Sequence, residues 1–361
     1  MTSRIVVFGA TGYTGRLVTA ALVERGARPV IAGRHRSALD DLAAEHGGLD
    51  SAVADAQEPA SVRALVEAGD VLVTTVGPFT LRGHAALEAA IDAGAHYVDS
   101  TGESGFVRHV VLDAGPRAER AGSALLTAFG YDFVPGHVAA GLAVEAAEAA
   151  GGVVGGVQVV YSGLVGGMSS GTRTTGSVMV TESTHRLEAG RLVERPTGRD
   201  VAVVDDAGHR RQTVLVGGTE PVLASHQWPS VTDVSVWLDL GAVVWLAKLG
   251  SYVAPTAMRI PQLRSWVRRA SGGTGTGPDA AARARSSCSV LAIASDADGN
   301  ELARARVRGP NVYDLTATTM AEGALRLRDD GPPRPGALGP LELFAPLDAH
   351  AGAARLGLEL A

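Results

Sequence analysis

The sequence predicts an α/β protein: an N-terminal doubly wound parallel sheet, followed by a second α/β domain on a mixed or antiparallel sheet. Three observations carry this reading. The first 130 residues alternate short β-branched runs with longer Ala/Leu/Glu/Arg segments. Those runs are continuously apolar, as strands covered on both faces must be. Beyond about residue 150 the pattern changes to Gly- and Val-rich strands split by turn residues, some with period-2 alternation.

Taken in order, Ile5-Val6-Val7-Phe8 reads as the first strand and leads into a helix near 13–25. Pro29 to Ala32, Ser51 to Ala54 and Val71 to Val76 are the next three strands, separated by helices near 37–46 and 59–68. A helix near 83–93, the strand His96 to Asp99, a helix near 105–121 and the strand Ala124 to Thr127 complete six βα-type units. In the second part, Val153 to Val165, Val201 to Val204 and Thr213 to Val216 read as strands. Cys288 to Ser295 and Leu302 to Arg308 form a hairpin across Asp296-Ala297-Asp298-Gly299-Asn300. Ser271 to Pro278 reads as a loop, and Asp314 caps a helix over about 315–328 that Asp329-Asp330-Gly331-Pro332-Pro333 ends. The expected division is 1–130, 131–310, and a segment 311–361 that packs back on the first domain.

Composition narrows the function classes. The chain has 361 residues and a net charge of −6, which argues against a dedicated nucleic-acid binder. One cysteine, Cys288, leaves no intramolecular disulfide and no CxxC metal site, and the ten histidines show no short metal-ligand spacing. The N-terminal apolar run is too short for a secretory leader, so a cytoplasmic protein is expected. Leu240 to Met258 is interrupted by Lys248 and carries Pro255, short of the about 20 clean residues of a spanning helix.

The chemistry starts at Gly9-Ala10-Thr11-Gly12-Tyr13-Thr14-Gly15, a GxxGxxG variant of the dinucleotide fingerprint placed between the first strand and the first helix. Backbone N–H groups and a helix N-terminus can hold a pyrophosphate there, with glycine where a Cβ would collide. The second strand ends in Gly33, Arg34, His35 and Arg36 rather than in the Asp or Glu that suits NAD. Arg34 and Arg36 therefore favour a 2′-phosphate, and so NADP(H), over their alternative as solvated helix-start arginines. Val76, Gly77, Pro78 and Phe79 end the fourth strand at the switch point, where a nicotinamide ribose would pass. Asp55 reaches the adenine or simply starts a helix.

GATGYTG, AGR, VGPF, HYVDSTGE and GYDFVPGH occur in an order and spacing that resemble the saccharopine dehydrogenase-like family. That family includes saccharopine reductases and the trans-acting enoyl reductases of lipid and polyketide pathways. The similarity covers the first 140 residues, continues in Ser169-Ser170-Gly171-Thr172 and reappears near Tyr313 to Glu322. It implies a Rossmann domain for NADP(H) and a second domain that supplies the substrate pocket and often a dimer interface. Asp132 stands where family members carry an acid near the bound substrate, so it is the expected proton donor; a turn cap before Pro135 is its alternative. Tyr131 and Glu103 join it as catalytic candidates, and Ser170, Arg173 and His137 as substrate contacts.

The resemblance favours hydride transfer from NADPH to the C=C of a small or carrier-tethered acyl substrate. An imine reductase of saccharopine type would need several arginine clamps, of which Arg173 is the obvious one. A non-catalytic NADP sensor or scaffold is the rival of another class. Gly167-Met168-Ser169-Ser170-Gly171 matches the GxSxG nucleophile string, but its surroundings are not those of a hydrolase elbow. Ala242 to Ala247, with Trp237 and Tyr252 nearby, reads first as a buried helix or dimer interface. A membrane-interface segment or an acyl-tail channel is the alternative. Arg259, Arg264, Arg268 and Arg269 beyond it could dock an acyl-carrier protein.

Overall fold

A computed structural model describes residues 3–163, 183–206, 208–257, 277–344 and 349–361. The chain divides into two units, one of residues 1–101, 106–134 and 312–346, the other of 102–105, 135–311 and 347–361. The last segment differs from expectation. Its first part, through 346, belongs to the first unit, whereas Glu359–Leu360 adds a strand to Glu301–Gly309 in the second.

The first unit is built on strands β1 (Ile5–Phe8), β2 (Val30–Gly33), β3 (Ser51–Val53), β4 (Val71–Thr74), β5 (His96–Asp99) and β6 (Ala124–Leu126). A seventh, Gly336–Ala337, joins β6, and the spatial order is Gly336–Ala337, β6, β5, β4, β1, β2, β3, every pair parallel. All residues of β1, β4, β5 and β6 are buried, which is why their apolar runs do not alternate. The order reverses at β1, with β4 on one side and β2 on the other, so a crevice opens at their carboxyl ends. Helix α1 (Tyr13–Glu24) follows β1 and α2 (Arg36–Glu45) follows β2. The helix expected near 105–121 is three pieces, with a π-helical turn over His109–Ala114 between Ser104–Arg108 and Gly115–Ala121.

The helix Val312–Asp329 completes this unit and packs where only small residues fit. A Cβ on Gly130 would lie 2.8 Å from Thr316 Cγ2, and one on Gly323 would lie 2.7 Å from the Phe129 ring. Arg25 Nε donates to Glu322 Oε1 at 2.6 Å, and the rings of Tyr13 and Tyr313 meet edge-on at 4.9 Å.

The second unit holds a mixed sheet in the order Val201–Asp206, His209–Val216, Asp233–Asp239, Gly156–Ser162, Cys288–Ser295, Glu301–Gly309, Glu359–Leu360. Only Asp233–Asp239 and Gly156–Ser162 pair in parallel along this path. The hairpin Ser183–Glu188/Arg191–Pro196 attaches through Leu187 and Val234. The sheet curls strongly enough for Asp206, on the first strand, to pair with Arg306, five strands away. Arg211 extends that clasp, its Nε 2.7 Å from Asp206 Oδ2 and its Nη1 2.9 Å from Asp239 Oδ2. Val160, Leu215, Trp237 and Leu291 are buried inside the curl.

Candidate active site at the carboxyl edge of the parallel sheet

The chain leaves β1 through a turn whose shape depends on glycine. Gly9 has φ +87°, and a Cβ there would meet Thr75 Oγ1 and Val76 Cγ2 at 2.8 Å. A Cβ on Gly15 would sit 2.2 Å from the Gly9 carbonyl oxygen, so α1 can start against the turn only with glycine at that position. The N–H groups of Gly9 and Ala10 both donate to Ala32 O (2.9 and 3.1 Å), tying the turn to β2. Gly12 caps α1 with no side-chain hydrogen bond, which leaves the first-turn amides and the positive end of the helix to an anion. A cradle made of backbone amides at a helix N-terminus fits a dinucleotide pyrophosphate. Thr11 lines the same turn, and Thr14 stands half-buried in the first turn of α1. Tyr13 instead braces α1 through Tyr313.

At the end of β2, Gly33 is buried beside Thr11, and Arg34 projects outward. Among the described residues, Arg34 makes no hydrogen bond or ion pair. Arg36 opens α2 and is partly engaged, donating to Ser51 Oγ at 3.0 Å and lying 3.9 Å from Asp40. Asp55 builds a local turn, its Oδ1 accepting from Gln57 N at 2.9 Å. Thr75 Oγ1, just beyond β4, donates to Gly9 O at 3.2 Å, so the Thr75–Pro78 loop adjoins the glycine turn. Val76 and Gly77 are half-buried there, and Pro78 is buried. Phe79 departs from its expected place: it is buried against Phe106, ring centroids 5.7 Å apart, and braces the loop from the core.

Two aspartates follow neighbouring strands in opposite conditions, Asp99 at the end of β5 and Asp132 six residues past the end of β6. Asp99, at the end of β5, is fully buried and fully engaged. Its Oδ1 accepts from the N–H of Thr101 (2.8 Å) and of Ala128 (2.9 Å), and its Oδ2 from Thr127 Oγ1 (2.9 Å). Burial raises its pKa to about 6 against the pull of those donors. It fixes the turn after β6, where Ala128 takes φ +52°.

Asp132 lies four residues farther along that turn. The backbone around it is pinned: Tyr131 N donates to Thr316 Oγ1 at 3.0 Å and Thr319 Oγ1 donates to Phe129 O at 3.1 Å. Its carboxylate has no hydrogen bond among the described residues, remains partly accessible, and is raised by burial to about 6. A carboxyl group so poised, beside nothing that consumes its proton, can give that proton away. Tyr131 itself is buried.

The remaining candidates belong to the second unit or lie outside the described residues. Glu103 is buried and belongs to the second unit. His137, expected at the substrate, is instead a core residue of the second unit. Its Nδ1 lies 2.6 Å from Gln227 Oε1 and its Nε2 2.8 Å from Thr219 Oγ1, and it stacks on Trp228 at 5.9 Å. Burial lowers its pKa to about 4, so the neutral ring donates from Nδ1 and accepts at Nε2, with neither nitrogen left for a ligand. Ser170 and Arg173, with the whole Ser169–Thr172 motif, lie outside the described residues. No cluster of metal-ligand type occurs among the described residues.

Sequence reasoning missed Glu220. Its carboxylate is buried in the second unit, accepts from the Tyr161 hydroxyl at 2.8 Å, and is flanked by two glycines. A Cβ on Gly136 or Gly218 would fall 2.1 or 2.2 Å from its oxygens. The signal was Gly217-Gly218-Thr219-Glu220-Pro221, where paired glycines precede a helix start with an acid in its first turn.

Residues 5–126 match the model of the saccharopine dehydrogenase NADP binding domain. A trans-acting enoyl reductase of Mycobacterium ulcerans is 36% identical over 137 residues, 36% of this chain and 33% of its own length. A Mycobacterium tuberculosis relative is 31% identical over 199 residues, 53% of this chain and 48% of its own. The chain thus spans about half, or less, of the length of these curated relatives. The fold is that of the L-glutamate-forming saccharopine dehydrogenase of Saccharomyces cerevisiae. The two superpose with a TM-score of 0.59 over 99% of both chains at 12% identity.

Proposed function

We propose, taking the N-terminal unit as the saccharopine dehydrogenase-type NADP-binding domain its sequence match makes it, that this protein is an NADPH-dependent reductase of a polarised C=C bond in a carrier-tethered enoyl intermediate of lipid or polyketide type. Bound at the sheet edge, NADPH supplies the hydride. The glycine turn and the first-turn amides of α1 hold its pyrophosphate, Arg34 with Arg36 receives the 2′-phosphate, and Val76 to Pro78 flank the nicotinamide side.

Asp132 completes the addition. Hydride arrival at the β-carbon drives the π electrons toward the carbonyl, and the α-carbon must then take a proton. The protonated Asp132 carboxyl gives it, is left as carboxylate, and is reprotonated from solvent. One hydride and one proton enter for each double bond lost.

The unpaired carboxyl of Asp132, in contrast to an Asp99 whose oxygens are all engaged, is the observation that carries this reading. The choice of C=C is supported by relatives named trans-acting enoyl reductases. In this reading the enzyme works in a reducing cytoplasm: its one cysteine, Cys288, is buried, and burial pushes its thiol up to about 11.

Single-turnover kinetics with Asp132→Asn and Glu103→Gln test the assignment on an enoyl thioester. Asp132→Asn keeps the shape and removes the proton, so the rate falls about 10²–10⁴-fold while NADPH affinity holds. In the wild type, the rate declines as pH rises through about 6 and Asp132 loses its proton. Wild-type turnover in Asp132→Asn would assign the proton to water or another residue.

A further inference from the structure

The helix Val244–Ala257 of the second unit wears its large apolar side chains outward. Val244 (2% exposed) and Ser251 (4%), seven residues apart, face into the unit. Trp245 (60%), Leu246 (70%), Leu249 (64%) and Tyr252 (54%) face solvent. The spacing 245, 249, 252 is one helical stripe, with Leu246 beside it. An ordinary surface helix does the reverse, so burial within the unit, one of the readings expected from sequence, does not describe this face. Isolated exposed leucines are common, whereas a contiguous group of this size marks a surface that meets something.

Charge indicates what it meets. From Leu240 to Pro278 the sequence has no Asp or Glu but carries Lys248, Arg259, Arg264, Arg268 and Arg269, in a chain whose net charge is −6. Cations already stand at the aromatic rim of the stripe: Lys248 Nζ lies 5.6 Å over the Trp245 ring, and the Arg199 guanidinium 4.9 Å over that of Tyr252. Two copies paired by a two-fold axis would bring two sets of Lys248 and Arg199 together, which opposes that occupant. An anionic surface meets no such penalty, and Trp and Tyr side chains favour the headgroup level of a bilayer. No helix among the described residues is long and apolar enough to cross a membrane.

We propose that the helix Val244–Ala257 docks the protein peripherally on an anionic lipid bilayer, with Trp245, Leu246, Leu249 and Tyr252 entering the headgroup boundary. This surface stands independently of the reaction assigned to the first unit.

Co-sedimentation of the full chain with phosphatidylglycerol-rich vesicles, against pure phosphatidylcholine vesicles, tests it. The anionic vesicles bind at least about tenfold more tightly, the tryptophan emission shifts to the blue on binding, and added salt weakens the difference. Leu246→Asp with Leu249→Asp abolishes pelleting while NADPH titration and circular dichroism stay unchanged. Trp245→Ala, a milder change, weakens pelleting and reduces the blue shift. Equal or absent pelleting of the wild type, or retained binding in the double variant, overturns the proposal. So does concentration-dependent self-association that the double variant breaks, which would give the stripe to a second copy.

Discussion

The carboxyl edge of the parallel sheet and the interior of the second unit use the same residue types to opposite ends. In the second unit the polar groups described above face one another: Asp206 with Arg211 and Arg306, His137 with Gln227 and Thr219, Glu220 with Tyr161. At the sheet edge, Arg34, the carboxylate of Asp132 and the mouth of α1 stand ready for groups that the described residues do not supply. Even the two aspartates of that edge divide this way, since Asp99 is saturated and Asp132 is not. Burial alone therefore does not mark a working residue.

The largest expected effect tests that distinction directly. Asp132→Asn lowers kcat by about 10²–10⁴-fold, whereas Asp99→Asn, which keeps an acceptor for Thr101 and Ala128, leaves single-turnover rates within about threefold of wild type. Equal losses from both would erase the contrast between the two acids.

Next comes the cradle. Gly12→Val places a branched side chain where a pyrophosphate must approach, with its Cβ only 3.2 Å from Gly9 O. Losing one or two charge-assisted hydrogen bonds weakens NADPH binding by about 100-fold or more in a protein that still folds. Fluorescence titration beside a thermal melt checks both halves.

His137 sharpens the comparison from the saturated side. Its folded pKa of about 4 lies below the unfolded value of about 6.5, so its share of stability is present above 6.5 and is lost as pH falls toward 4. Denaturant unfolding at several pH values, compared with His137→Asn, should reveal a pH-dependent difference of up to about 3 kcal/mol. Asp99 and Asp132, raised to about 6, act in the opposite sense. Their share is full below about 4 and lost as pH rises through 6, and it cancels in that difference. A flat difference would mean that His137 titrates normally.

Smallest is Arg34→Ala, which should weaken NADPH by about tenfold and NADH hardly at all, because an exposed guanidinium is screened by solvent. Isothermal titration with both cofactors decides it. Equal losses for the two would remove the 2′-phosphate from the account.

Much of the first unit was legible because burial on both faces of a parallel strand leaves an uninterrupted apolar run, and because the glycine turn is local in sequence. The strand Gly336–Ala337 was not: two residues carry no periodicity. The π-helical turn at His109–Ala114 was equally silent, since its residues read as ordinary helix. At the site, Asp132 was readable from its place after a strand, but the contrast with Asp99 depends on three donors brought from Thr101, Thr127 and Ala128. His137 misled for the same reason. Its partners, Thr219 and Gln227, lie more than eighty residues away, and only the fold brings them to the ring. The helix at 244–257 was recognised as apolar, yet composition cannot say which side of a helix faces outward.

The first unit is assembled from separated stretches of chain, and that has a consequence for its birth on the ribosome. The turn carrying Asp132 is buttressed by Thr316 and Thr319, and α1 by Tyr313 and Glu322, all from the helix Val312–Asp329. A nascent chain emerges from its N-terminus, so β1 to β6 leave the tunnel long before that helix is synthesised. Until then Gly130 and the Tyr13 ring face water instead of their partners. The second unit, whose strands lie almost wholly between 135 and 311, is free to fold first and to shorten the loop the late helix must close. The glycine turn, encoded first and tied to β2 and Thr75, thus opens a helix whose outer bracing is encoded near the end of the chain.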